Sequence, residues 1–197
     1  MHHFSNNISN WVSKFYNLIP QGKVLDLACG NGRHSLMLAD AGYKVIAVDR
    51  NEDALKSIKK HKNITKLNLD LEDQKSLTNV NWPLKEKTYK GIVVTNYLHR
   101  PLISEVINSL DFEGILIYET FGKGNSIFGK PSNSNYLLDK AELLSYFNKP
   151  NYWILAYENG FISYPNKAIV QRICVKLIED KKLNFETNPN LVNLFKI

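Results

Sequence analysis

Apolar residues recur at helical spacing near the start of the chain, at Trp11, Val12, Phe15, Leu18 and Ile19. With Ser9 or Asn10 as the cap and Pro20-Gln21-Gly22 as the stop, this predicts a first helix whose Trp11 and Phe15 face the core. Lys23–Leu27 then predicts a short buried strand, and Arg33–Ala41 a helix ended by Gly42. Tyr43–Val48 predicts a second strand, Glu52–His61 a helix capped by Asn51, and Ile64–Leu69 a third strand. From Leu71 to Thr88 the pattern is weak, and Pro83 interrupts it. Gly91–Thr95 predicts a fourth strand. Pro101 suits the first turn of a helix reaching about Leu110, ahead of a fifth strand at Ile115–Thr120. A glycine- and asparagine-rich loop follows, then a predicted helix over Asp139–Phe147. Two β-rich runs, Tyr152–Glu158 and Ala168–Leu177, have no helix between them and read as an antiparallel hairpin at a sheet edge. Alternation of strand and helix predicts an α/β protein, its mostly parallel sheet covered by helices on both faces.

With 197 residues and no repeat or linker, residues 1–197 are expected to form one domain. Its parts are an N-terminal helix (1–19), a core (20–178) and a polar C-terminal extension (179–197). No apolar run approaches the roughly 20 residues of a membrane span, so no membrane partner is expected. The opening Met1–Asn7 lacks the basic start and apolar core of a secretory signal. Cys29 and Cys174 suggest neither a metal site nor a disulfide framework, and the expected location is cytoplasmic. The formal charge is +6, but only four of the 25 basic residues are arginine. The densest basic run, Lys56–Lys62, ends a predicted helix, where cations complement the dipole. No basic run is interleaved with aromatics. A small-molecule partner is therefore expected ahead of nucleic acid, with the chain a monomer or homodimer.

The stretch DLACGNGRH, Asp26–His34, joins the first strand to the first helix of the sheet. Glycine turns in this position usually cradle phosphate on bare backbone amides. The Asp26 carboxylate argues against a phosphate here. Asp49 lies 23 residues later, at the end of the second strand. In a doubly wound sheet both acids face one crevice, and an acid at the second position commonly takes the hydroxyls of a ribose. A nicotinamide fingerprint would need a third glycine where Ser35 stands. The features together ask for a ligand with a ribose, no phosphate, and a positive group near Asp26. S-adenosylmethionine (SAM) meets all three.

VLDLACGNGRH (24–34) followed by VIAVD (45–49) resembles the motifs of class I SAM-dependent methyltransferases, in particular the bacterial group near the tellurite-resistance and thiopurine enzymes. The resemblance covers about residues 20–120, and the strand plan extends it to about 178. It implies a Rossmann-like sheet of seven strands with the last one antiparallel. It also implies that Ala28, Gly30 and Gly32 form the cofactor turn, that Asp26 faces the methionyl ammonium, and that Asp49 holds the ribose beside Arg50. Asp70 would meet the adenine with Leu71 packing nearby, while Asn96 and Tyr97 flank the sulfonium and the substrate. Ala28 replaces the first motif glycine, which the turn accommodates if that residue needs no positive φ.

Several of these residues have plainer readings. Asp70 also suits a turn cap. Arg33 suits either the helix surface or the cofactor carboxylate. Cys29 reads as a small packing residue. The segment TNYLHRP (95–101) lacks the Asn-Pro-Pro-aromatic run of enzymes that methylate adenine or glutamine, and lacks the strand-four acid of the aminopropyl-transferring relatives. His99 is a candidate general base or a helix cap. After strand five, Tyr118, Glu119, Asn125, Phe128 and Lys130 are candidate substrate contacts. The loop there, 121–136, reads as a lid or a solvated connection. The expected reaction is in-line transfer of a methyl group from SAM to a small acceptor, leaving S-adenosylhomocysteine (SAH), with no metal. An RNA or protein methyltransferase, or a SAM-binding module without turnover, are the alternatives.

Overall fold

The computed structural model describes residues 7–72, 84 and 86–179. The weakly patterned stretch around Pro83, and all of the C-terminal extension past Glu179, lie outside the described residues. Seven strands form one sheet: β1 Lys23–Leu27, β2 Lys44–Asp49, β3 Ile64–Asn68, β4 Tyr89–Thr95, β5 Leu110–Phe121, β6 Tyr152–Ile162 and β7 Ala168–Leu177. Their order is β3-β2-β1-β4-β5-β7-β6. The pairs from β3 to β5 are parallel, and β7 runs antiparallel to both β5 and β6. This is the seven-stranded, mostly parallel sheet with a reversed last strand.

Strand alternation divides the core into two layers. Leu25, Leu27, Ile92, Val94, Leu116, Tyr118, Ile173 and Val175 face one side of the sheet. There they meet helix α4, Ile103–Ser109, through Ile103, Val106 and Ile107. Val24, Val93, Ile115, Ile117 and Cys174 face the other, against α1 (Asn10–Phe15) and α2 (Arg33–Asp40). Trp11 and Phe15 are buried there, as the spacing predicts. Ser9 caps α1, its hydroxyl accepting from the amides of Trp11 and Val12. No helix among the described residues is long and apolar enough to cross a membrane.

The remaining helices, α3 (Glu52–Ser57) and α5 (Glu142–Ser145), are shorter than their sequence patterns predict. In α3 the chain turns extended at Ile58, which buries its side chain against Gly32. Lys59–Lys62 therefore lie past the helix rather than in its last turn, which holds only Lys56, paired with Glu52. The helix expected over Asp139–Phe147 begins only at Glu142. Ala141 takes a left-handed conformation, and the Asp139 amide donates to the Glu142 carboxylate at 2.7 Å.

Candidate active site

The carboxyl ends of β1, β2, β3 and β4 open into a hollow of about 390 Å³, a volume typical of small-ligand sites. Ala28, Gly30, Arg33, Asp49, Arg50, Asp70, Leu71, Asn96 and Tyr97 all line it. The turn after β1 is left-handed at Ala28 (φ 52°), Gly30 (φ 54°) and Gly32 (φ 70°). The condition under which Ala28 would replace the motif glycine without strain, that it needs no positive φ, is not met. Alanine occupies that region at a cost of about 1–2 kcal/mol. A Cβ on Gly30 would meet nothing within 4 Å, so this wall is bare backbone, whereas a Cβ on Gly32 would strike Ile58 at 2.6 Å. Gly30 serves the hollow; Gly32 serves packing.

Asp49 binds the turn from the second strand. One carboxylate oxygen accepts the Gly30 amide at 2.7 Å and the other accepts the Asn51 amide at 2.8 Å. Each oxygen keeps further accepting capacity toward the hollow. Asp70 caps a turn, accepting the Glu72 amide at 2.9 Å, and also lines the cavity. Arg50 pairs with Glu72 at 3.7 Å. The Tyr97 hydroxyl is buried without a hydrogen-bond partner among the described residues, an arrangement that a bound polar group would relieve. Burial, reinforced by the Glu72 charge, pushes the Tyr97 phenol above its ordinary range.

Asp26 does not line the hollow. It lies beneath the turn, 1% exposed, and accepts from the Ser35 hydroxyl at 2.5 Å. Burial raises its pKa from 3.8 to about 6, against the lowering effect of that hydrogen bond. Cys29 is buried and its thiol is pushed up by the same cause, as suits a packing residue.

A second hollow, about 290 Å³, lies beside the first. Glu119, Asn125, Phe128 and Lys130 line it, together with Ser9, Phe121 and residues of the β6–β7 hairpin. Arg33 and Asn96 line both hollows. Asn96 is itself left-handed (φ 56°), its amide donating to the Glu119 carbonyl at 2.9 Å. Arg33 donates to the Asn7 carbonyl at 2.9 Å. Desolvation lowers its pKa, with the charges of Glu119 and Asp26 opposing.

A chain of polar contacts joins the two hollows. Thr95, in the first, lies 3.4 Å from His34 Nδ1, and His34 Nε2 accepts the Ser9 amide at 3.0 Å. The Ser9 hydroxyl donates to Glu119 at 2.9 Å, and Arg172 reaches Glu119 at 3.2 Å. Burial drives the His34 pKa down to about 3, so the ring is neutral, with its proton on Nδ1 facing Thr95.

Two other sequence candidates, His99 and Tyr118, line neither hollow, and the Asn125 side chain, at the wall of the second, is taken up by bonds within the protein. No side-chain bond makes His99 a helix cap; only its carbonyl accepts, from Leu102. Tyr118 is buried in the core, where its hydroxyl donates to the Tyr97 carbonyl at 3.0 Å. Asn125 is 2% exposed and spans the Pro131 carbonyl and the Ile169 amide. The 121–136 segment is not without regular structure, as it holds two 3-10 turns, Asn125–Ile127 and Ser134–Tyr136.

Sequence reasoning missed Thr95, Leu69 and Glu72 in the first hollow, and Ser9 and Arg172 in the second. It also missed Arg100, which grips Glu142 at 2.7 and 2.9 Å and donates to the carbonyls of Asn135 and Leu137. Glu119, Arg172 and Glu158 stand directly opposite one another across β5, β7 and β6. Their alternating charge is a usable signal once the order of those strands is known.

Sheet order, reversed β7 and a ligand crevice beyond the carboxyl ends of the parallel strands define the class I methyltransferase fold. Solved structures agree. TehB of Haemophilus influenzae superposes with a TM-score of 0.67 at 22% identity, covering 86% of this chain and 62% of that one. A SAM-dependent methyltransferase from Methanosarcina mazei gives 0.61 at 18%, covering 88% and 100%. The sequence model of the family described as tellurite resistance protein TehB matches residues 5–115, and the chain belongs to that family. The H. influenzae relative named Probable S-adenosyl-L-methionine-dependent methyltransferase TehB is 32% identical over 96 residues. That match takes in 47% of this chain and 32% of the relative, so the chain corresponds to about a third of its length.

Proposed function

We propose that the chain is a SAM-dependent methyltransferase, holding SAM in the first hollow and a small acceptor in the second. The observation that carries this is the shared wall: Arg33 and Asn96 belong to both hollows, so a ligand filling the first reaches the edge of the second. The residues suit the cofactor. Asp49 offers carboxylate oxygens to a ribose, Gly30 gives a wall without side chain, and Tyr97 adds an aromatic wall to the same hollow. Asp26 supplies negative charge beneath the turn for an ammonium group, acting through the field rather than by direct exposure.

When bound, SAM supplies a methyl group already activated by its sulfonium, passed to an acceptor lone pair while the carbon–sulfur electron pair returns to sulfur. The protein then has to align the acceptor and exclude water. Asn96, locked by its backbone bond to Glu119, sets one edge of the junction. Ser9 and the Phe121–Lys130 segment cover the second hollow. Glu119 is engaged by both Ser9 and Arg172, which suits it to positioning rather than proton removal.

The family description names tellurite resistance, so tellurite belongs in any acceptor panel. The test is SAH formation from SAM with tellurite, a fractionated cell metabolite extract, bulk RNA and bulk protein. Turnover with tellurite or the metabolite fraction supports the proposal. Turnover only with RNA or protein gives a macromolecular methyltransferase instead. SAM binding without turnover in any arm leaves a cofactor-binding module.

A further inference from the structure

We propose that the second hollow takes an organic acid, a molecule with a flat apolar body and a carboxylate. This deepens the methyl-transfer reading and rests on its assignment of the acceptor to that hollow. The first observation is charge. The walls carry Arg33, Lys130, Lys167 and Arg172 against one carboxylate, Glu119. Glu119 is already matched, since Arg172 lies 3.2 Å from it while also binding Glu158 at 2.6 Å. Lys130 and Lys167 form no ion pair with any described residue. The internal acid is therefore spent, and the two lysines stand ready for an anion brought by a ligand.

The second observation is the apolar rim. Phe128 lines the hollow at 40% exposure and lies 5.2 Å, ring to ring, from Phe161, itself 53% exposed. Tyr164, 62% exposed, also lines the hollow, as do Ile162 and Val170. Exposed aromatic rings grouped at the mouth of a cavity mark a binding surface more often than isolated ones do.

The two observations restrict the ligand together. An inorganic oxyanion would satisfy the lysines and leave the rings without a role. A neutral aromatic would occupy the rings and leave the lysines without a counter-charge. At about 290 Å³ the hollow suits a small molecule rather than a folded segment of a partner. The site is built before the ligand arrives: the Asn125 side chain ties the loop bearing Phe128 and Lys130 to Ile169, next to the hairpin turn bearing Lys167. A carboxylate between Lys130 and Lys167 would lay its apolar body against Phe128.

The experiment uses the full chain with SAH present, and titrates benzoate, benzyl alcohol and inorganic phosphate by ligand-observed NMR. Benzoate is expected to bind saturably, about tenfold or more tighter than either of the others. The double variant Lys130→Gln/Lys167→Gln should weaken benzoate by about tenfold and leave benzyl alcohol unchanged, because two exposed ion pairs are removed. Phe128→Ala should weaken benzoate and leave phosphate unchanged. Phosphate binding as tightly as benzoate, with Phe128→Ala silent, would overturn the proposal in favour of a plain oxyanion site. Benzyl alcohol matching benzoate would overturn it in favour of a neutral apolar site. SAH binding with no benzoate binding would overturn this proposal alone. Failure of SAH itself to bind would instead strike the methyltransferase reading.

Discussion

The Ser35 hydroxyl donates to Asp26 at 2.5 Å beneath the glycine turn, in a pocket where Ser35 is wholly buried. Ser35 stands where a nicotinamide fingerprint would place its third glycine. The residue that departs from that fingerprint is thus the one that holds the turn's acid in place.

Burying this acid has a pH signature. The folded pKa of about 6 lies above the ordinary 3.8, so the folded state favours the protonated form. The resulting stabilisation is full below about 3.8 and is lost as pH rises through about 6. The separation between 3.8 and about 6 corresponds to roughly 3 kcal/mol. Urea unfolding of the wild type and of Asp26→Asn from pH 4 to pH 8 should show the variant gaining on the wild type by about that amount as pH rises. A pH-independent difference between the two would contradict the burial account.

Asp49 closes the turn through Gly30 and faces the hollow, so its removal acts twice. Asp49→Ala should weaken SAM and SAH alike by about 2–3 kcal/mol in calorimetry, the scale of hydrogen bonds to a charged group. NADH should bind poorly to the wild type. An unchanged SAM affinity in the variant would remove Asp49 from the cofactor site.

Ala28 is strained where a glycine would not be. With φ at 52°, Ala28→Gly should raise unfolding stability by about 1 kcal/mol, because relief of left-handed strain outweighs the added freedom of the unfolded chain. Chemical denaturation measures this directly. Destabilisation by the glycine would show that the turn does not need positive φ at this position.

Arg100 ties the segment leading into α5 to the 3-10 turn Arg100–Leu102 ahead of α4. Replacing its fork with the point charge of Arg100→Lys forfeits the bidentate pairing with Glu142 and at least one of the bonds to the Asn135 and Leu137 carbonyls. Amide exchange across residues 135–142 should quicken by about tenfold, in line with a local loss of about 1–2 kcal/mol. SAM affinity should not move, because Arg100 does not line the first hollow. Unaltered exchange would mean that the segment is held without the clamp.

The sheet was legible because its central strands are buried on both faces and its parallel strands mostly alternate with helices. Leu25 and Leu27 fall in one layer and Val24 in the other, as strand periodicity requires. The acids Asp26 and Asp49 could be assigned to one end of the sheet because parallel strands put their carboxyl ends together. Ends set by packing were not legible. Ile58 leaves its helix to cover Gly32, and no local propensity announces that. The second hollow was legible only in part, since Ser9 reaches His34 across 25 residues and Arg172 reaches Glu119 across 53. Such pairings depend on how the N-terminal segment and the reversed β7 pack, and a one-dimensional pattern carries neither. Tyr118 was misplaced for a related reason. The residue next to a site residue on a strand points to the opposite face, and Glu119 took the site.

The most direct test of the central claim is the position of SAH in a crystal of this protein soaked with it. The account predicts density in the hollow at the ends of β1, β2, β3 and β4, with the ribose hydroxyls on Asp49, the adenine between Asp70 and Leu71, and the sulfur toward Asn96 and Arg33. Density confined to the second hollow, or a molecule reversed so that its adenine lies against Asn96, would contradict it.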